Sequence, residues 1–177
     1  MTLGVVGMGS IGRYLARKAS VFNMRVKYHN RRRLSNEAEA QCSNATYCDS
    51  LHDLLSQSDV VSINCPLTAE TTNLISSDEF AAMRDGAFLI NTSRGPVVNE
   101  EALIAALESG KITRAGLDVF NNEPDINDYF KKSDKVVIQP HVGGWTEEAI
   151  KRAERECLEN VKALFKTGRP VAPVNSL

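Results

Sequence analysis

The sequence predicts an α/β fold built on a doubly wound parallel sheet. Short apolar segments alternate with helical patterns along almost the full length, which is the order that produces such a sheet. These segments are apolar throughout, as expected of parallel strands that are covered on both faces. Glycines at positions 7, 9 and 12 follow the first segment and open the first helical pattern. Together these observations favour one class of fold before any element is placed.

Seven strands are predicted in order from apolar residues and from the turn residues that end them. Pro66 ends the fourth strand because proline has no amide hydrogen to donate to a neighbouring strand. The third strand, "ATYC", has the weakest signal. The predicted ranges are 3–7, 24–29, 45–48, 60–66, 87–91, 114–120 and 135–140.

Helices are predicted where apolar residues recur every three or four positions. Ser76 and Glu79 have the spacing of a capping box, which should open a helix that runs to Met83. Asn99 should cap another helix that ends before Gly110. The remaining helices are predicted at 11–20, 50–57 and from 146 to about 166, and 121–134 is the longest irregular stretch.

Composition excludes several classes of protein. The 177 residues suit one domain with an appendage, and 42% hydrophobic with 24% charged residues is ordinary for a globular chain. A net charge of −1 gives no global attraction to nucleic acid or to an anionic membrane. We expect no membrane span, since no apolar run approaches the ~20 residues that a span needs. We also expect no secretory signal, since a strand-like segment follows Met1 at once, without a charged region or a cleavage site.

The four cysteines are scattered without the spacing of metal ligands. Cys42, Cys48, Cys65 and Cys157 include no Cys-x-x-Cys pair, so we expect neither a metal site nor a disulfide framework. Buried free thiols in a reducing compartment are the simplest interpretation, and the predicted location is cytoplasmic.

The glycine motif predicts a dinucleotide site of the Rossmann type. Gly7 would permit a tight turn, Gly9 would let the backbone approach a pyrophosphate, and Gly12 would let the helix lie close to the strand. The amides of Ser10 and Ile11 would then point at phosphate oxygens from the helix N-terminus. A glycine turn without a ligand is the alternative.

The segment "YHNRRRLS" bears on which dinucleotide is bound. Asn30 stands where an NAD site usually carries Asp or Glu for the ribose hydroxyls. A carboxylate there would repel a 2′-phosphate, whereas Arg31 or Arg32 could donate charge-assisted hydrogen bonds to it. NADP(H) is therefore the preferred cofactor, and NAD is the alternative. Arg33 is expected to be the spare, unless all three arginines are solvated surface charges.

Three further segments at predicted strand ends carry Arg94, Glu123 and His141. Reduction of a keto acid needs a cation for the carboxylate, an acid for the developing alkoxide, and a partner that keeps the acid protonated. Arg94, His141 and Glu123 can fill these roles in that order, because a carboxylate beside an imidazole favours the protonated ring. Singly, each could be surface charge, packing or a turn residue, as we interpret His29 and His52.

Five segments occur in an order that resembles a known family. They are "GVVGMGSIG", "CPLTAETTNLI", "INTSRGPVVNEEAL", "GLDVFNNEP" and "PHVGGWTEEA". In almost its whole length the chain resembles the nucleotide-binding domain of the D-isomer-specific 2-hydroxyacid dehydrogenases, and looks closest to glyoxylate/hydroxypyruvate reductases. The resemblance implies Arg94 as the substrate-binding arginine, His141 as the proton donor and Glu123 as the acid that pairs with His141.

The resemblance also implies the cofactor contacts, the partners and the domain organisation. Residues 1–145 would form the NAD(P)-binding Rossmann domain, and 146–177 a C-terminal helix and tail that return to a substrate domain. A small 2-oxoacid substrate and a homodimer are expected. The cofactor contacts would come from Ser10, Ile11, Asn30, Cys65, Pro66, Thr71, Thr92, Ser93, Arg94, Asp118, His141, Gly143 and Gly144.

One departure from the family leaves three hypotheses open. Relatives are about twice as long, and the N-terminal part of their substrate domain has no counterpart in this chain. The chain is then an NADP(H)-dependent 2-oxoacid reductase or a piece of one, or it binds nucleotide with little turnover because the grip on the substrate carboxylate is absent. The third hypothesis is a nucleotide-sensing interaction module that uses the apolar stripe of the last helix.

Overall fold

A computed structural model describes residues 1–173, so the last four residues of the predicted tail lie outside the described part. Seven strands are β1 (Thr2–Val6), β2 (Arg25–His29), β3 (Thr46–Tyr47), β4 (Val60–Ile63), β5 (Ala87–Asn91), β6 (Ile112–Leu117) and β7 (Val136–Ile138). Seven helices are α1 (Ser10–Val21), α2 (Asn36–Gln41), α3 (Leu51–Ser56), α4 (Ser77–Ala82), α5 (Glu100–Glu108), α6 (Asp128–Lys132) and α7 (Glu147–Thr167).

The strands form one parallel sheet in the order β3-β2-β1-β4-β5-β6-β7. Consecutive pairs β1–β2 and β4–β5 are parallel, so a helix must carry the chain back between them. The strand order reverses beside β1, and in open α/β sheets ligands bind at the carboxyl ends of strands at such a reversal. The predicted doubly wound Rossmann-type sheet is confirmed.

Two apolar clusters stabilise the sheet. The smaller cluster joins α1 to β1 and β2 through residues such as Val5, Ala16 and Tyr28. The larger cluster packs α3, α4 and α5 against the central strands and includes Leu89 and Leu107. Every residue of β1 is buried, as expected for a strand covered on both faces.

The edge strand β7 departs from the expected burial. Val137 is 63% exposed and Ile138 is 39% exposed. The prediction that every strand is buried on both faces is therefore wrong at this edge, where β7 has a strand neighbour on one side only.

Two short helices have no counterpart in the sequence-based prediction. Ser35 opens α2 by accepting a hydrogen bond from the Ala38 amide at 3.3 Å. Asn127 opens α6 in the stretch predicted to be irregular, and Phe130 of that helix is buried against Phe120, with ring centroids 5.8 Å apart. Helices of this length contain too few apolar residues for a clear helical period.

The chain divides into a unit of Met1–His141 and a second unit that begins at Val142. In the second unit, Thr146 caps α7 by accepting a hydrogen bond from the Ala149 amide at 3.1 Å, and Gly168 ends the helix. No residue of α7 is buried. Among residues 1–173, no helix has the length and apolar character needed to cross a bilayer.

The four cysteines are free, but only two of them match the expected burial. Cys42 and Cys48 are buried, Cys65 is half-buried and Cys157 is exposed on α7. The expectation of buried thiols is therefore wrong for the last two. Within the described residues, no group of three or more His, Cys, Asp or Glu side chains could hold a metal ion.

Candidate cofactor cleft and active site

A cleft of about 930 Å³ opens where β1, β2 and β4 end. Parallel strands end at the same edge of a sheet, so the loops that follow these three strands can together surround one ligand. Eight of the residues predicted to bind cofactor line the cleft: Gly7, Gly9, Asn30, Arg31, Arg32, Cys65, Pro66 and Thr71.

The three motif glycines have different surroundings. A Cβ at Gly7, which has φ +98°, would lie 2.6 Å from the Cys65 nitrogen, so glycine lets the loop after β1 meet the loop after β4. A Cβ at Gly12 would lie 2.4 Å from the Gly7 oxygen. A Cβ at Gly9 would meet no atom within 4 Å.

The open space at Gly9 matches the needs of a dinucleotide phosphate. Gly9 lines the cleft and stands at the N-cap of α1, where no side chain caps the helix. The amides of the first turn are therefore left for an anion, and the helix dipole favours negative charge there. Ser10 and Ile11 lie in this turn and are exposed, although neither is among the residues that line the cleft.

The lining of the cleft includes three arginines, Arg13, Arg31 and Arg32, which we call its basic wall. Asn30 is fixed beside them, since its Oδ1 accepts a hydrogen bond from the Met8 amide at 2.7 Å. Arg33 does not line the cleft. Its guanidinium instead donates to Glu39 through Nε at 2.9 Å and Nη2 at 3.0 Å.

Several residues of the cleft were not predicted from the sequence. Arg13 directly follows the glycine motif, and helical side chains lean towards the N-terminus, which was a usable signal. His29, interpreted above as having no role, lines the cleft as the last residue of β2. The others, which carry no distinctive signal, are Val6, Met8, Leu34, Leu51, Asn64, Thr68, Glu70 and Leu74.

Glu123 and His141 are hydrogen-bonded at the same edge of the sheet as the cleft, with 2.7 Å between Glu123 Oε2 and His141 Nδ1. The other carboxylate oxygen accepts a hydrogen bond from the Phe120 amide at 2.8 Å. The hydrogen bond from His141 is the main cause that lowers the pKa of Glu123, and the charge of Arg94 contributes in the same direction. The carboxylate is therefore held ionised beside the imidazole.

The backbone of His141 has φ +57°, in the left-handed region that residues other than glycine seldom adopt. Such outliers concentrate at functional sites because the surrounding structure must hold them in place. His141 follows β7 by three residues and is exposed.

Arg94 is held on a tight turn after β5. The side chain of buried Asn91 accepts from the Ser93 amide at 3.0 Å and donates to the Arg94 carbonyl at 3.1 Å. A Cβ at Gly95 would lie 2.0 Å from the carbonyl carbon of Phe120, so only glycine lets this turn approach the segment that carries Glu123. The Gly-Pro pair after Arg94 was the overlooked signal for this contact.

The remaining predicted contacts are distributed over the carboxyl ends of other strands. Ser93 donates its hydroxyl to the Cys65 carbonyl and thereby joins the turn after β5 to the cleft loop. Thr92 is exposed, and Asp118 is buried directly after β6. Gly143 and Gly144 belong to the second unit. Of the predicted cofactor contacts, the cleft lining does not include Ser10, Ile11, Gly12, Thr92, Ser93, Arg94, Asp118, His141, Gly143 and Gly144.

Comparison with known proteins decides the family. A family model described as "D-isomer specific 2-hydroxyacid dehydrogenase, NAD binding domain" matches residues 1–143. The chain belongs to this family. The resemblance inferred from the five segments is thus confirmed, as is its assignment to a family of NAD(P)-dependent oxidoreductases.

Relatives within the family are similar over nearly the whole chain. Dehydrogenase efuE of Hormonema carpetanum is 60% identical over 100% of this chain and 44% of its own length. A glyoxylate reductase from Paecilomyes thermophila is 42% identical, with a TM-score of 0.93 over 98% of this chain and 52% of that one. An NADPH-dependent glyoxylate/hydroxypyruvate reductase from Sinorhizobium meliloti, in complex with NADP and malonate, is 32% identical, with a TM-score of 0.91 over 98% and 52%. The chain therefore spans about half the length of these relatives.

Proposed function

We propose that the chain is the nucleotide-binding part of an NADP(H)-dependent reductase of small 2-oxoacids such as glyoxylate or hydroxypyruvate. The observation that carries the proposal is the hydrogen bond between Glu123 and His141, with the charge of Arg94 acting on the same carboxylate. The Glu123–His141 pair lies at the same edge of the sheet as the nucleotide-sized cleft and its basic wall.

The residues that would hold the cofactor fall into two groups. Gly9 and the first-turn amides of α1 suit a pyrophosphate, because they combine open space with unpaired donors. Arg31 and Arg32 suit a 2′-phosphate, and Asn30 adds no repelling charge. NAD is the alternative cofactor. When bound, NADPH supplies the hydride for the reduction.

The chain's own residues would orient the substrate and supply the proton. Arg94 would bind the substrate carboxylate by charge-assisted hydrogen bonds. Glu123 occupies Nδ1 of His141, so Nε2 is the ring nitrogen left to hold a proton for the substrate carbonyl oxygen. Support for a glyoxylate-like substrate comes from the relatives described as glyoxylate and hydroxypyruvate reductases.

Turnover and binding should be measured together on the purified chain. NADPH oxidation with glyoxylate or hydroxypyruvate is followed by absorbance, and NADPH binding by fluorescence in the same sample. We expect both binding and oxidation. We also expect His141→Gln to lower kcat by about 10²–10⁴-fold while NADPH binding stays unchanged, because only the proton donor is lost.

His52→Gln is the matched control, since His52 also pairs with a glutamate, Glu79, at 3.3 Å but lies on α3 outside the cleft lining. It should leave oxidation unchanged. Binding without oxidation in the unmodified chain would favour the alternative, a nucleotide-binding chain with little turnover. Equal activity of His141→Gln and the unmodified chain would refute the assigned proton donor.

Assembly and location belong to the same proposal. A homodimer is expected from the family resemblance, and a cytoplasmic location from the cysteine usage. Sedimentation of the purified chain with and without NADPH measures the first directly.

A further inference from the structure

We infer that Tyr28, Arg33 and Glu39 form a clamp that holds the β2–α2 loop, residues 30–35, in the shape that presents Arg31 and Arg32 to a 2′-phosphate. Arg33 and Glu39 are then positioning residues for cofactor choice, and neither of them is a cofactor ligand. The inference rests on the proposed function, specifically on its preference for NADP(H).

Glu39 is the centre of the clamp. It is a buried residue of α2 whose side chain is 12% exposed. Its Oε1 accepts from the Tyr28 hydroxyl at 2.6 Å and from Arg33 Nε at 2.9 Å, and its Oε2 accepts from Arg33 Nη2 at 3.0 Å. Both oxygens are therefore occupied within the protein, and the buried charge is paired as burial requires.

The loop is tied to the protein on both sides of the two free arginines. Before them, Asn30 is bonded through its side chain to the Met8 amide, and the Tyr47 hydroxyl donates to its carbonyl at 3.2 Å. After them, Arg33 is bonded to Glu39, and the Leu34 amide donates to the Tyr28 hydroxyl at 3.0 Å. The loop cannot shift at either end without breaking these bonds.

Arg31 and Arg32 are the part of the loop that stays available. Both line the cleft and are exposed, and within residues 1–173 neither guanidinium makes a hydrogen bond or a close ion pair. The charge of Arg31 nevertheless contributes to lowering the pKa of Glu70, which lines the same cleft. Because the loop backbone that carries Arg31 and Arg32 is already fixed, less conformational freedom is lost when these two arginines bind a phosphate. The clamp should therefore favour binding of NADP(H) over NAD(H), because only NADP(H) has a phosphate for these two arginines.

Removal of the negative charge of Glu39 tests the clamp, because the clamp and simple electrostatics predict opposite changes in NADPH affinity. By Coulomb attraction alone, removing the negative charge of Glu39 should tighten the binding of a phosphate nearby. A clamp predicts the opposite, because Glu39→Gln releases Arg33 and loosens the loop. NADPH and NADH dissociation constants are measured by fluorescence titration for the unmodified chain, Glu39→Gln, Arg33→Ala and the double variant.

We expect Glu39→Gln and Arg33→Ala each to weaken NADPH binding by about tenfold, with NADH binding changed by less than about twofold. The double variant should be no weaker than either single one, because both act through one unit. Glu37→Gln is the matched control, since it removes the same charge from an exposed position of α2. The glutamine oxygen can still accept the hydrogen bond that Glu37 accepts from Ser35 at the end of the loop. It should leave NADPH binding unchanged or slightly tighter.

Tighter NADPH binding in Glu39→Gln would overturn the clamp, because that is the result expected from the loss of one negative charge alone. An equal loss of NADPH and NADH binding would reduce the clamp to general stability and overturn its role in selectivity. If the unmodified chain shows no preference for NADPH, the proposed cofactor fails and the clamp fails with it. If the preference exists and survives Arg33→Ala, only the clamp fails. Because the Arg33 side chain is 58% exposed, this variant should fold even if Glu39→Gln does not.

Discussion

At the scale of single residues, two glycines after β1 have different roles: Gly12 is needed for packing, and Gly9 leaves space for a ligand. A Cβ at Gly12 would collide with the Gly7 oxygen at 2.4 Å, whereas a Cβ at Gly9 would enter open space. Gly9 also has φ −76°, a value that any residue adopts. The change to alanine should therefore affect mainly cofactor binding at Gly9 and mainly the stability of the fold at Gly12.

Gly9→Ala should lower the free energy of unfolding by no more than about 1 kcal/mol, because the methyl group meets nothing and only the N-cap preference for glycine over alanine is lost. It should weaken NADPH binding by about tenfold or more, since the methyl group occupies the space where backbone approaches phosphate. Gly12→Ala should destabilise the chain by about 1–3 kcal/mol through overpacking. Thermal unfolding and fluorescence titration of both variants provide the measurements, and a stable, tightly binding Gly12→Ala would contradict this assignment.

Three adjacent arginines show what a sequence leaves undecided at this scale. Arg31, Arg32 and Arg33 are chemically identical. The sequence predicts that one of them does not bind the cofactor, because a single phosphate cannot engage three guanidinium groups. Which arginine is withdrawn depends on Glu39 of α2, which bonds Arg33 and also accepts a hydrogen bond from the Tyr28 hydroxyl of β2. Arg33 is withdrawn from the cleft, and its charge is used in an ion pair.

At the scale of elements, the β2–α2 loop is the segment that should set cofactor preference. Asp at position 30 can accept the same hydrogen bond from the Met8 amide that Asn30 accepts at 2.7 Å, so the loop should keep its shape. The change adds one negative charge at the position where a 2′-phosphate would lie. That carboxylate would repel the phosphate of NADPH but accept a hydrogen bond from the ribose hydroxyl of NADH.

The triple variant Asn30→Asp, Arg31→Gln and Arg32→Gln should lower the ratio of NADPH to NADH affinity by about a hundredfold or more, since two charge-assisted bonds are lost. Arg17→Gln is a suitable control, because Arg17 stacks on Tyr14 of the same α1 helix, 4.5 Å from the ring centroid, and does not line the cleft. An unchanged ratio in the triple variant would mean that these arginines are surface charge.

Element boundaries show where local patterns stop being informative. β5 has the predicted bounds, and the capping box of Ser76 and Glu79 opens α4 as predicted. β4 ends at Ile63, before the predicted Pro66, because the residues that follow turn away to line the cleft. α6 was missed because its main anchor is one buried ring, Phe130, whose partner Phe120 comes from another part of the chain.

At the scale of the whole molecule, paired side chains should set the pH range of stability. Hydrogen bonds from Arg33 and Tyr28 lower the pKa of Glu39, and that from His141 lowers the pKa of Glu123. A carboxyl with a lower pKa in the folded state contributes stability above its ordinary pKa and loses it as pH falls through the lowered value. The free energy of unfolding should therefore decline in acid.

Tyr28 should act at the opposite end of the range. Burial, followed by its hydrogen bond to Glu39, raises the pKa of Tyr28 from 10.0 to about 12. Its protonated form stabilises the fold below the unfolded pKa, and that contribution is lost as pH rises through the interval up to the folded value. Urea unfolding across this interval should show a steeper loss of stability for the unmodified chain than for Tyr28→Phe. Parallel curves would contradict the role of this hydroxyl.

The sequence alone determined the fold class, the succession of strands along the chain, the glycine loop and the segments that stand at strand ends. These depend on hydrophobic period, caps and short motifs, all of which are local. Only the tertiary structure decided that Arg33 turns to Glu39, that Gly95 brings the Arg94 turn against Phe120, and that β7 is exposed. Such contacts join residues that are distant in sequence or belong to different elements, so packing in three dimensions, and no local pattern, selects the partner of each side chain.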